Sequence, residues 1–118
     1  MIQLRSVMVP ADNTGAKLLN VIHTKAKTAK IGEVVVCVVN EADPNGAVKD
    51  SQIVKAVIVR TRKELRRKDG SFVRFDDNAG VIIDKDNNPL GTRIFGPIAK
   101  EIKEKGFHKI ASLAEELV

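Results

Sequence analysis

Three runs of β-branched and small apolar residues limit the fold more than any other feature. They are Val34-Val35-Val36-Cys37-Val38-Val39, Ile53-Val54-Lys55-Ala56-Val57-Ile58-Val59 and Ala79-Gly80-Val81-Ile82-Ile83. Each is short for a buried helix, and Val and Ile pack best on a pleated strand. The expected strand 33–40 is apolar at every position from Val34 to Val39, which predicts a strand covered on both faces, as in a small closed barrel. Two further strands are expected before them. One spans about 4–9 and is ended, or held at an edge, by Pro10, whose nitrogen cannot donate to a ladder. The other spans 17–23, with Leu19 and Val21 on one face and Leu18, Asn20 and Ile22 on the other. Polar stretches at 11–16, 41–51 and 84–91 carry the Gly, Asn, Asp and Pro that make turns. Aromatic residues are only 3% of the chain, so the core has to be aliphatic.

The last quarter changes character. Pro97 suits a first helical position and Gly106 a terminating one, so a helix is expected between them. Ile98 and Ile102 share its face, and Lys100/Glu104 and Glu101/Lys105 are spaced for ion pairs. Residues 107–111 could be extended. Ser112-Leu113-Ala114-Glu115 has the spelling of a capping box and predicts a short terminal helix. The 118 residues therefore read as one domain, with a barrel over about 1–96 and a helical part over about 97–118.

Between the second and third apolar runs lies Asp69-Gly70, a dipeptide that tolerates the positive φ angles of a two-residue type I′ turn. The chain should double back there into a projecting β-ribbon, with Arg67 opposite Phe72 and Leu65 opposite Arg74. Residues 60–74 hold seven basic side chains, Arg60, Arg62, Lys63, Arg66, Arg67, Lys68 and Arg74, against two acids, Glu64 and Asp69. That excess of five equals the formal net charge of the whole chain, +5. The charge is thus concentrated on one ribbon. Two readings compete: a solvated arm whose charges prevent edge-to-edge aggregation, or an arm that grips nucleic-acid phosphates through Arg-rich forks. The connector at 24–30 adds Lys25, Lys27 and Lys30 with no acid, either as a solvated loop or as a second RNA contact.

Other chemistries find little to build on. His23, His108 and Cys37 cannot assemble a zinc site of usual type, and no nucleophile–base set is apparent, so no enzyme, metal or cofactor is expected. Cys37 reads as a small core residue in a reducing compartment. There is no glycine-rich phosphate loop, and Asp84-x-Asp86-x-Asn88 fails as a calcium loop because Pro89 stands where glycine is needed. No apolar run is long enough to span a bilayer, and Met1-Ile2-Gln3-Leu4-Arg5 is not followed by the apolar stretch of a secretory signal. Neither a membrane nor a small-molecule substrate is expected as partner. The chain has no Tyr or Trp, and its four phenylalanines read as core or ribbon-packing residues. Such a surface suits folded RNA recognised by shape and phosphate rather than loose strands stacked on aromatics.

The central segment also resembles a known family. Ala56-Val57-Ile58-Val59, nine residues, Asp69-Gly70, four residues, Phe75, then Asn78 and Val81-Ile82 is similar to the signature of the fourteenth protein of the large ribosomal subunit. Ala11-Asp12-Asn13-Thr14-Gly15-Ala16-Lys17, Gly91-Thr92-Arg93-Ile94-Phe95-Gly96-Pro97 and Lys109-Ile110-Ala111-Ser112-Leu113-Ala114 resemble its other motifs, and the length resembles the bacterial or organellar branch. The chain departs from the family in a shorter 24–30 connector without paired glycines, in Pro10, in Ser51-Gln52 and in Glu115. The resemblance implies a five-stranded barrel with a projecting ribbon and a small helical C-terminal part. It implies binding of large-subunit ribosomal RNA, bridges to small-subunit RNA, and contacts with the third and nineteenth large-subunit proteins. It implies a ribosome silencing factor docking on an exposed face, for which Thr92, Arg93 and Ser112 are the candidates. The setting would be a bacterial cytoplasm, or an organelle matrix or stroma. The alternative is a free-standing small RNA chaperone or translation factor.

Overall fold

The computed structural model describes residues 2–25 and 27–118; Met1, and Ala26 in the middle of the lysine connector, lie outside the described residues. Five strands close into a barrel: β1 (Val7–Pro10), β2 (Ala16–His23), β3 (Val34–Ala42), β4 (Ile53–Arg60) and β7 (Ala79–Ile83). Neighbours are antiparallel except where β7 returns beside β1, which closes the sheet in parallel. Pro10 fits the last position of β1 because the ladder to β7 does not use its nitrogen. Val9 N–H donates to Asn78 O and Ala11 N–H to Gly80 O, so the missing donor falls between them.

The barrel interior is aliphatic, as its composition requires. Met8, Leu19, Val21, Val35, Cys37, Val39, Ile58 and Ile82 are all fully buried. β2 alternates as expected, with Leu19 and Val21 inward and Leu18 and Ile22 exposed. β3 departs from its expectation. Only Val35, Cys37 and Val39 are buried, while Val34, Val36 and Val38 are half-covered. Burial on both faces belongs instead to the end of β4 and to all of β7. There the C-terminal segment covers the barrel wall, and Ala99 N–H donates to Val59 O.

The ribbon consists of β5 (Leu65–Arg66) and β6 (Phe72–Val73). Its register corrects the expectation by one residue: Leu65 faces Val73 and Arg66 faces Phe72. Arg67 N–H donates to Ser71 O and Gly70 N–H to Arg67 O, which makes a three-residue loop with φ of +87° at Gly70. Asp69 keeps a negative φ, and its carboxylate accepts both the N–H and the hydroxyl of Ser71. A type I turn closed by a glycine bulge replaces the type I′ turn.

The C-terminal part holds two short helices, α1 (Glu101–Glu104) and α2 (His108–Leu113), framed by two strands, β8 (Pro97–Ile98) and β9 (Glu116–Leu117). The helix expected from Pro97 starts later because Ile98 is recruited to a parallel pair with Leu117. Gly106 ends α1 as predicted. Its φ is +97°, its N–H reaches Lys103 O, and Phe107 N–H reaches Ile102 O, the paired bonds of a Schellman stop. The capping box does not form. Residues 108–111 are helical rather than extended, so Ser112 falls in the last turn of α2, where its hydroxyl donates to His108 O. The terminal segment then pairs with β8 as a strand.

Candidate nucleic-acid interface

The one-residue register change sorts the basic ribbon into inner and outer faces, because a slip of one position exchanges them. Leu65 and Val73 lie half-buried against the body, and Arg67 follows them inward. Its Nε and Nη2 fork onto both carboxylate oxygens of Glu101 at 3.1 Å each, and Nη2 also donates to Val118 O at 2.5 Å. Both side chains are largely buried, at 14% and 19% exposure. Glu101 thus pairs across to the ribbon rather than with Lys105 along its own helix.

Arg60 is committed more deeply still. Its Nε donates to Asp77 at 2.9 Å, and its Nη1 donates to the carbonyls of Phe95 and Pro97 at 2.8 and 3.0 Å. A buried guanidinium is tolerated only when it is paired, and here Asp77 pairs with it while two carbonyls take up the Nη1 hydrogens. Gly96 makes room for it: a Cβ there would lie 2.6 Å from Arg60 Nη1. Arg60 and Arg67, expected on the sequence as nucleic-acid contacts, therefore carry their charge into the protein's own body. Arg62 is intermediate, exposed but with Nε on Asp76 O at 2.9 Å.

Arg66, Lys68 and Arg74 remain fully on the outside, with Lys63 beside Glu64 at 3.5 Å. A solvent-exposed pair of neighbours like that one contributes little and leaves the ammonium available. A backbone hydrogen bond, the largest cause, and then the charges of Lys63 and Arg74 hold the Glu64 carboxyl below its ordinary pKa. Lys25, Lys27 and Lys30 are all exposed on the connector, which is strapped down by the Ile2–Ala29 bridge. The fold then does what spacing could not reveal. Lys30, Ile31, Thr61, Lys63, Glu64, Leu65 and Arg66 line one groove of about 250 Å³, so the end of the connector and the base of the ribbon share a groove with three basic side chains and one acid.

Across the full length, residues 1–118 match the model of the family Ribosomal protein L14p/L23e. The chain belongs to this family. It is 56% identical over 121 residues to the Large ribosomal subunit protein uL14 of Petrotoga mobilis, with 99% of each chain covered.

In this ribosomal protein the second group of candidate residues also comes together. Thr92 and Ser112, twenty positions apart, line one shallow depression with Asn88, Pro89, Lys109 and Leu113, and Arg93 is exposed next to Thr92. What holds that surface was not visible in the sequence. Asn13 Oδ1 accepts the backbone N–H groups of Thr92 and Arg93 at 2.8 and 3.1 Å, and its Nδ2 donates to Thr92 Oγ1 at 2.9 Å. Asp12 anchors the same turn from inside. It accepts the Thr14 hydroxyl at 2.8 Å and the Ile82 N–H at 3.0 Å, yet burial outweighs these bonds and raises its carboxyl pKa. The polar cluster 11–16 is therefore a clamp on the 91–95 loop as well as a turn. The phenylalanines also divide against expectation: Phe75 is buried, but Phe95 and Phe72 are 47% and 60% exposed. Among the described residues, no group of His, Cys, Asp and Glu is gathered as a metal site would require.

Proposed function

We propose that this ribosomal protein is a structural constituent of the large subunit that binds its ribosomal RNA. The observation that carries this reading is the shared groove, in which Lys30 of the connector meets Lys63 and Arg66 of the ribbon. Lysine and arginine so arranged replace counterions along a phosphate backbone, while the barrel holds their direction. The family membership and the printed name of the Petrotoga mobilis relative support the large subunit as its site. Lys25, Lys27, Arg62, Lys68 and Arg74 are exposed and are the further proposed RNA contacts in this reading.

The Thr92, Arg93 and Ser112 surface is the protein and subunit interface in this reading. Bridges to small-subunit RNA, the third and nineteenth large-subunit proteins and a ribosome silencing factor are its proposed partners. The work is done by binding, with no catalytic step. The compartment is that of the ribosome, a bacterial cytoplasm or an organelle matrix.

Salt titration of binding to a full-length bacterial large-subunit rRNA transcript tests the assignment. Lys30→Ala, Lys63→Ala and Arg66→Ala should each lower the log–log salt slope by about one unit. A slope unchanged in all three variants would remove the groove from the RNA surface. Sedimentation of the native protein in a lysate separates the alternatives. Co-migration with large subunits is expected, and a slow free peak would favour a free-standing chaperone or translation factor.

A further inference from the structure

Phe72 is 60% exposed on the outer face of the ribbon, directly across from Arg66. The ribbon's apolar demand is already met on the inner side by Leu65 and Val73. Phe72 borders a depression lined by Val73, Phe75, Pro97 and Val118, yet more than half of it stays in solvent. Residues directly opposite on an antiparallel pair project from the same face with Cβ atoms about 5 Å apart. The pair thus presents a π surface and a guanidinium fork side by side. Arg66 makes no ion pair or side-chain hydrogen bond among the described residues, and Asp69, the nearest acid on the loop, is occupied by Ser71.

We propose that Phe72 and Arg66 form a receptor for one unpaired nucleobase of structured RNA. The base stacks on the open face of Phe72, and Arg66 holds the adjoining phosphate. This deepens the RNA reading above and rests on it. It differs from the chemistry of a single-strand binder, which lines a channel with several aromatics. Here one ring on a cationic ribbon suits a single base turned out of a folded RNA, the arrangement by which structured RNA exposes sequence. RNA is favoured over an apolar protein contact because an unpaired guanidinium, Arg66, stands directly across from the ring, and the exposed Arg74 lines one depression with it.

The test compares Phe72→Leu, Phe72→Tyr and Arg66→Ala with the wild-type protein on a full-length bacterial large-subunit rRNA transcript. Irradiation at 254 nm is followed by mapping of crosslinked peptides. Phe72→Leu keeps an apolar side chain but loses the π face, and should bind about tenfold more weakly, the scale of one base–aromatic stack. Its salt slope should match the wild type, because stacking releases no counterion. Phe72→Tyr should restore affinity, and Phe72 should itself crosslink to RNA. Arg66→Ala should lose affinity and about one unit of slope together. Wild-type affinity in Phe72→Leu, with no crosslink at Phe72, would overturn the receptor while leaving the groove intact. Unchanged RNA affinity combined with poor incorporation into subunits would assign the ring to a neighbouring protein, and overturns it equally. Absence of salt-dependent binding by the wild type would bring down the groove and the receptor together. Urea midpoints of the variants should equal the wild type, since the ring is exposed.

Discussion

Arg67 and Glu101, thirty-four positions apart, meet through two parallel hydrogen bonds of 3.1 Å and fasten the ribbon to α1. The pair is shielded from water, and losing one partner strands the other. Arg67→Ala or Glu101→Ala should each lower unfolding free energy by about 1–3 kcal/mol, less than for a fully buried pair. Replacing both together by Met and Leu should recover most of that loss. Urea unfolding of the two single variants and the double variant measures it. Arg67→Ala should also leave the RNA salt slope unchanged, in contrast to Arg66→Ala.

Asn13 spends three hydrogen bonds on Thr92 and Arg93. Asn13→Ala should therefore loosen the 91–95 loop without unfolding the barrel. Amide hydrogen exchange at Thr92 and Arg93 should accelerate by roughly tenfold or more, while the β4 amides stay protected. Gly91→Ala should act in the same direction, because a Cβ there would lie 2.6 Å from Asn13 Oδ1.

Asp12 makes stability depend on pH. Burial, the leading cause, raises its carboxyl pKa above the ordinary value, so the folded state holds the proton more tightly than the unfolded chain. A shift of that sign contributes stability below the unfolded pKa, and the contribution is lost as pH rises through the folded value. Asn at this position does not titrate. The difference in urea midpoint between the wild type and Asp12→Asn should favour the wild type most near about pH 3. It should narrow by about pH 6, beyond the ordinary carboxylate range. A difference that widened with pH would reverse the assignment.

Cys37 should behave as an inert thiol. It lies fully buried inside the barrel, and burial pushes its pKa up to about 12. Thiolate is the reactive form, so a colorimetric thiol reagent at about pH 8 should find no cysteine in the native protein and one in urea. Rapid native labelling would contradict the closed barrel.

The strands of the barrel were legible because their signal is local. Val and Ile runs at 53–59 and 79–83 become β4 and β7, and the alternation of Leu19 and Val21 with Leu18 and Ile22 becomes the two faces of β2. The C-terminal part was less legible. Ile98 obeys a helical spacing with Ile102, yet a backbone partner at Leu117 takes it into a strand. A pattern that suits a helix cannot report a main-chain partner supplied from far along the chain.

The location of positive charge was determined by the order of residues alone, since composition and spacing put the whole net excess between positions 60 and 74. Which of those charges face solvent was decided only by the tertiary structure. A one-residue choice of register, made at the three-residue loop where Asp69 accepts the donors of Ser71, turns Arg67 inward and leaves Arg66 and Phe72 outside. Carboxylates and carbonyls from distant segments then claim Arg60 and Arg67, and the connector folds Lys30 against Lys63 and Arg66. Charge is a property of each side chain and survives any fold. Its availability depends on which partners the chain closure brings within hydrogen-bonding distance.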